Sequence, residues 1–286
     1  MVSHPLRRAT DRVPAGTPSA APGPAPSRPA VSLVVPVRGD ARGASWLLEQ
    51  VPECVEEIVL VGGARALERV RVPAAVTAGV RRVEQPGGGT GDVPHAGMLA
   101  ACGERVVLIA SNGSMSPKDV PHYLHYLDSG YDFVKGSRFI AGGCSAGYPL
   151  VRRAGHVVLL FLARRLYGQR LTDLWFGFCA FRREFVPVLE LRPDGVELGA
   201  EMVVHALHYG LRVAEVPGRE RTRPPEAVRA ATFRDGARIL GTMLRERPRT
   251  ALPRLVRLLP ARSRPGPGPE AVRRGVDSAP PPGGGA

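Results

Sequence analysis

Apolar residues fall along the chain in short runs separated by longer amphipathic stretches. Val31–Val37 (VSLVVPV) is a β-branched run closed by the turn-forming Arg38-Gly39-Asp40, and it predicts a buried first strand. Helical spacing over Ala44–Val51 leads to a second run of the same kind, Glu57–Gly62 (EIVLVG). A helix over Arg65–Val70, a strand near Val80–Glu84, a glycine-rich loop at Gly87–Gly91, a helix over Val93–Cys102 and a strand over Arg105–Ala110 follow. Strands alternating with helices of this length predict parallel βαβ units and a sheet covered on both faces. The chain up to residue 110 therefore reads as a Rossmann-like half.

Beyond it, Pro117–Leu127 predicts a helix with proline in its first turn and Ser116 as N-cap, and Tyr131–Lys135 a strand. After a glycine-rich loop, Ala141–Gly147, the segment Leu150–Tyr167 has apolar residues at helical spacing with Arg152, Arg153, Arg164 and Arg165 near its ends. A strand at Cys179–Phe181, a helix over Leu198–Tyr209, a strand over Arg212–Val216 and a helix over Phe233–Glu246 complete the pattern. No internal repeat is visible. The expected fold class is α/β: one mostly parallel sheet sandwiched by helices, in a single domain over 31–246. The Pro/Gly/Ala-rich ends, 1–30 and 261–286, read as disordered tails, with a basic extension at 247–260.

Composition narrows the partners. The chain has 286 residues, 44% of them hydrophobic, enough for a sizeable core, and a formal net charge of +13. Lys118 and Lys135 are the only lysines, so nearly all positive charge is guanidinium, suited to bidentate phosphate contacts. Phosphorylated ligands, anionic lipid headgroups and nucleic acid are admissible partners by charge, but a general arginine bias of an Ala/Gly/Pro-rich chain gives the same excess. Cys54, Cys102, Cys144 and Cys179 have no paired spacing, which argues against a zinc site or a disulfide framework. The longest apolar run, Val157–Ala163, is far short of a bilayer span. The first tail has no apolar stretch of the kind a secretory signal needs, and a cytoplasmic protein is expected.

Several ordered motifs carry a family resemblance. Phe133–Gly155 (FVKGSRFIAGGCSAGYPLVRRAG) and Leu171–Glu184 (LTDLWFGFCAFRRE) resemble the G-S-R-[FY]-x-x-G-G and T-D-x-x-x-G-[FY]-x-A-[FL] segments of family 2 glycosyltransferases with the GT-A fold. The polyprenyl-phosphate sugar synthases, such as dolichol-phosphate mannose synthase, are the members it is most similar to. Glu201 in GAEMVVHALHYGLRVAEVP resembles the family's helix glutamate, and FRDGARIL resembles a helix of a bacterial subgroup. The resemblance implies transfer of a sugar from a nucleotide-sugar to a polyprenyl phosphate or similar acceptor, with Mg²⁺ or Mn²⁺ meeting the departing diphosphate.

The donor half departs from that pattern. Where the family carries Asp-x-Asp at the end of the fourth strand, this chain reads Ala110-Ser111-Asn112, so neither carboxylate expected to hold the cation is present and the metal is doubtful. Val61–Arg65 lacks the family's acid, and Gly89-Thr90-Gly91 lacks its lysine. By resemblance the donor-binding residues are Pro36, Asp40, Gly62, Ser111 and Asn112. The acceptor half is better kept. Ser137, Arg138, Arg152, Arg153 and Arg223 match positions expected to bind the lipid phosphate, and Arg138, Asp173 and Glu201 are the catalytic candidates. Each has a plainer reading: Arg138 as a strand-end ion pair, Arg152 and Arg153 as solvated helix charges, Asp173 as a loop brace, Glu201 as an ordinary helix residue. The histidines at i, i+3 spacing, His122 with His125 and His205 with His208, read as surface or packing residues for want of a carboxylate cluster.

Two functions follow. One is an active hexosyltransferase with a residual or metal-independent donor site. The other is an inactive relative that binds lipid phosphate or an active paralogue as regulator or scaffold. A nucleic-acid module rests on charge alone, with no helix-turn-helix, zinc or RNA-recognition motif to support it. The cationic helix 150–167 and the arginine-rich stretch 244–259 suggest peripheral contact with an anionic inner membrane face.

Overall fold

Valine and isoleucine dominate the strand runs, and in the computed structural model these runs lie in the middle of a sheet covered on both faces. The described residues are 29–37, 41–85, 91–145, 150–189, 198–221 and 233–245. The first half comprises β1 (Val31–Val37), α1 (Arg42–Leu48), β2 (Glu57–Gly62), α2 (Ala64–Glu68), β3 (Gly79–Glu84), α3 (Asp92–Ala100) and β4 (Arg105–Ile109). The second comprises α4 (Val120–Asp128), β5 (Phe133–Ser137), β6 (Cys144–Ser145), α5 (Leu150–Tyr167), β7 (Phe178–Arg182), α6 (Leu198–His208), β8 (Val213–Pro217), β9 (Arg219–Glu220) and α7 (Phe233–Arg245).

Seven strands form one sheet in the order β3-β2-β1-β4-β7-β5-β8. β1 pairs in parallel with β2 and β4, β2 with β3, and β5 with β8, while β7 runs antiparallel between β4 and β5. The parallel first half follows the βαβ reading; β7 is the exception that makes the sheet mixed. Alternation along β1 splits the core in two. Leu33 and Val35 pack with Leu47, Leu60, Tyr123 and Leu127 on one face, and Val34 packs with Met98, Leu108, Phe181 and Met202 on the other. A Cβ on Gly97 of α3 would lie 2.6 Å from Val34 and 2.7 Å from Val61, so only glycine lets this helix approach the sheet so closely.

Several boundaries move. The strand expected at 131–135 occupies Phe133–Ser137, because Gly130, at φ +99°, turns the chain out of α4 and Tyr131 still bonds back to Tyr126 O at 3.2 Å. The helix expected over 117–127 is a 3-10 turn, Pro117–Asp119, followed by α4, since Pro121 sits in the first turn of α4. Ser116 does cap, accepting from Lys118 N at 3.4 Å. A 3-10 segment at Arg183–Val188 and the two-residue strands β6 and β9, which pair in parallel, had no periodic signature. Among the described residues no helix is long and apolar enough to cross a membrane. Of the tails and basic extension read at 1–30, 247–260 and 261–286, all but residues 29 and 30 lie outside the described residues.

Candidate functional site

β1, β2 and β4 end together, and the donor-side candidates gather there. Ser111 donates its hydroxyl to Pro36 O at 2.5 Å, tying the loop after β4 to the end of β1. A Cβ on Gly62 would fall 2.4 Å from Val37 O, so β2 ends against the end of β1. The same loop rests on α1: a Cβ on Gly43 would lie 2.1 Å from Ser111 O. Asn112 turns its side-chain carbonyl inward, accepting from Ser114 N at 3.0 Å and Ser114 Oγ at 2.6 Å, and Gly113 completes the turn at φ +71°. Ala110 donates its N–H to Gly177 O at 3.0 Å and packs its methyl against the core. Asp40 lies outside the described residues.

The acceptor-side candidates converge at the end of β5, around buried charge. Asp173 is fully buried and accepts from Arg138 Nε at 2.7 Å, Arg138 Nη2 at 3.0 Å, Arg138 N at 3.2 Å and Trp175 N at 3.0 Å. Glu220 of β9 takes Arg138 Nη1 at 2.9 Å. The guanidinium expected to meet an acceptor phosphate is thus engaged by two carboxylates, in a pocket closed by Phe139 and Phe176. Burial alone would raise the Asp173 carboxyl, but the Arg138 hydrogen bonds and the charge of Lys135 outweigh it and hold it at about 2. Ser137 shares a 2.6 Å hydrogen bond with Thr172, whose N–H and hydroxyl both donate to Glu215 at 2.8 Å.

Besides Glu220, three members of this network were not singled out from the sequence. Lys135 is buried within β5 and donates to the backbone carbonyls of Asp173 and Gly136; its burial lowers its pKa against the opposing pull of Asp173 and Glu215. Glu215 is raised by burial despite Lys135 and the Thr172 and Asp173 bonds. His156 of α5 accepts from Leu174 N at 3.1 Å through Nε2, so that nitrogen carries no proton and its 3.8 Å approach to Asp173 is not an ion pair. The signal available was Lys135 itself, one of two lysines, set in an otherwise apolar strand.

Glu201 is buried in the first turn of α6. A Cβ on Gly199, two residues before it, would come 2.8 Å from Phe176 O, so the start of α6 abuts the loop after Asp173. Arg152 and Arg153 fall in the first turn of α5, with their side chains outside the described residues, as Arg223 is entirely.

No family model matches this sequence. A dolichyl-phosphate hexose transferase of Haloferax volcanii is 30% identical over 193 residues, which span 67% of this chain and 81% of the relative. The chain belongs to the family 2 glycosyltransferases. A polyprenol monophosphomannose synthase of Mycolicibacterium smegmatis is 28% identical over 115 residues, 39% of this chain and 43% of its own length. Glucosyl-3-phosphoglycerate synthase from Mycobacterium tuberculosis, solved with Mn²⁺, UDP and phosphoglyceric acid, matches in fold with a TM-score of 0.55 at 21% identity, over 77% of this chain and 78% of that one. The GT-A architecture is therefore shared with these glycosyltransferases.

The metal seen in that neighbour raises the question of fit. At the end of β4 this glycosyltransferase offers a methyl group at Ala110 and, at Asn112, a neutral carbonyl already holding two hydrogen bonds from Ser114. Among the described residues no three His, Cys, Asp or Glu side chains converge as ligands. Hard divalent cations require several oxygen ligands, usually with carboxylates among them, and the described residues do not fit one here.

Proposed function

We propose that the protein is a hexosyltransferase that moves a sugar from a nucleotide-sugar to a polyprenyl phosphate or a similar phosphate acceptor, with residues 31–246 as the transferase domain. The names of its relatives point to this chemistry. The observation that carries it is the convergence of four separated segments, 136–138, 172–177, 199–201 and 215–220, at the end of β5. An ionised phosphate oxygen of the acceptor attacks the anomeric carbon, the bond from that carbon to the diphosphate breaks, and a nucleoside diphosphate leaves. A phosphate is already anionic near neutral pH, so no general base is needed.

In this reading Arg138 braces Asp173 and Glu220, and its hold on the two loops fixes the acceptor side. Arg152, Arg153 and Arg223 are then assigned to the phosphate, together with Ser137. Two arginines in the first turn of α5 face an unfavourable helix dipole, and an anion bound there relieves it. Asp173 and Glu201 line the reacting region. Pro36, Asp40, Gly62, Ser111 and Asn112 form the donor pocket. Val157, Val158 and Phe161 are exposed on α5 beside exposed Arg164 and Arg165, a combination suited to an anionic bilayer in which the acceptor would reside.

The test is incubation of the full chain with polyprenyl phosphate and a panel of UDP-, GDP- and dTDP-hexoses, followed by mass spectrometry of the extracted lipid. A lipid heavier by one hexose is expected. Lack of product with every donor, alongside binding of polyprenyl phosphate, would return the protein to the inactive-relative reading.

A further inference from the structure

β9 and the residue after it read Arg219-Glu220-Arg221. Glu220 turns inward to Arg138, and both arginines are exposed. Arg221 is held beside the loop that follows β4: its N–H donates to Ser114 O at 2.8 Å, and its guanidinium lies 5.0 Å from the centroid of the Trp46 ring. Trp46 belongs to α1, whose Gly43 touches Ser111 of the same loop. A positive charge thus stands beside the strand end to which the family resemblance assigns a cation. Among the described residues Arg221 makes no ion pair, so its charge is available. A cation over an indole face is held by the ring quadrupole without being neutralised.

We propose that Arg221 binds the diphosphate of the nucleotide donor and takes over the charge-neutralising work of a divalent cation, so that this chain binds its donor without metal. The inference rests on the transferase reading above and names the residue that makes it workable at a strand end with Ala110 and Asn112. A guanidinium offers several N–H donors to diphosphate oxygens, and it needs no carboxylates beneath it. The neutral Ala110-Ser111-Asn112 loop and the cationic Arg221 are then two halves of one arrangement, since an acid at 110 or 112 would draw the guanidinium away from the ligand.

Calorimetric titration of the full chain with UDP, GDP and dTDP, in EDTA and again with Mn²⁺, tests this. At least one nucleotide is expected to bind equally in both conditions. Arg221→Ala should weaken that binding about ten- to a hundredfold, with Arg221→Lys intermediate, because a charged hydrogen bond is lost. Arg212→Ala, at the opposite end of β8, should change nothing. Binding that appears only with Mn²⁺ would overturn the proposal while sparing the transferase reading. So would unchanged affinity in Arg221→Ala. Absence of nucleotide binding in every condition would remove the donor reading and this proposal together.

Discussion

The two sides of the site solve opposite electrostatic problems. At the acceptor side Arg138 is paired with both Asp173 and Glu220, while Lys135 and Glu215, which attract each other, are held by the backbone around Asp173. At the donor side the end of β4 carries only Ala110, Ser111 and Asn112, satisfied by neutral hydrogen bonds to Pro36 and Ser114. Two carboxylates placed there to hold an external cation would repel each other whenever the ion was absent. Buried charge is therefore kept where the protein neutralises it internally, and it is missing where a ligand would have to do so. The donor half is not averse to buried acid as such: Glu57 is buried at the opposite end of β2, accepting from Ser32 Oγ, from Cys102 N at 2.8 Å and from Arg81 at 3.0 Å.

This contrast is broken most sharply by removing one partner on the acceptor side. Arg138→Met leaves Asp173 buried without its main counter-charge, and breaking a buried pair of this kind costs about 3–5 kcal/mol. Urea unfolding should show that loss together with loss of transfer; a change as small as that of a surface substitution would mean that the network is peripheral to the fold. The same carboxylate sets a pH signature. The folded Asp173 is held at about 2 against an ordinary value of 3.8, so its stabilisation is present above 3.8 and is lost as pH falls towards 2. Glu215, raised from 4.5, acts with the opposite sign: its contribution is present below 4.5 and fades as pH rises through its folded value. The difference in stability between wild type and Asp173→Asn isolates the first effect, and it should shrink between pH 3.8 and about 2. A difference that stays flat across that window would refute the assignment.

A smaller effect belongs to Glu57. Burial would raise its carboxyl, but the bonds from Ser32, Cys102 and Arg81 lower it. Glu57→Ala leaves the Cys102 N–H and the Ser32 hydroxyl without their acceptor, at about 1–3 kcal/mol. Since Glu57 opens β2 and Gly62 closes it, nucleotide affinity should not move. A matching loss of affinity at unchanged fold would show that the two ends of β2 are coupled.

How much of this the sequence discloses depends on the physical origin of each signal. Strands buried on both faces must be apolar throughout, so β1, β2 and β4 are legible as continuous runs. The vacancy of acid at Ala110 and Asn112 is legible too, because its place after the fourth strand is fixed by that run. β6 and β9 are not, since two residues carry no period. Arg219-Glu220-Arg221 carries no motif, and its role follows only from the pairing of β9 with β6 and from the contact of Glu220 with Arg138, between residues far apart in the chain. Lys135 is the last residue of the strand expected at 131–135, and its burial follows only from the extension of that strand to Ser137. Arg138, expected to reach a ligand, is claimed first by Asp173 and Glu220, and only the folded distances decide between these partners.

The smallest change sharpens the donor side by restoring what the loop lacks. In Ala110→Asp combined with Asn112→Asp, the second substitution keeps an oxygen in place to accept from Ser114, and the first points a carboxylate from a half-buried position opposite Gly177. A side chain at 177 would crowd this position, since its Cβ would lie 3.2 Å from that of Ala110, but glycine leaves the space open. The double variant should gain Mn²⁺-dependent nucleotide binding of about tenfold, or roughly 1.4 kcal/mol, in the same titration. Without Mn²⁺ it should bind more weakly than wild type, because the new acids compete with the diphosphate for Arg221. Adding Arg221→Ala to the pair decides whether cation and guanidinium serve the same charge. If they do, Mn²⁺ restores in the triple variant what Arg221→Ala removes; if the two losses simply accumulate, the arginine acts elsewhere on the donor.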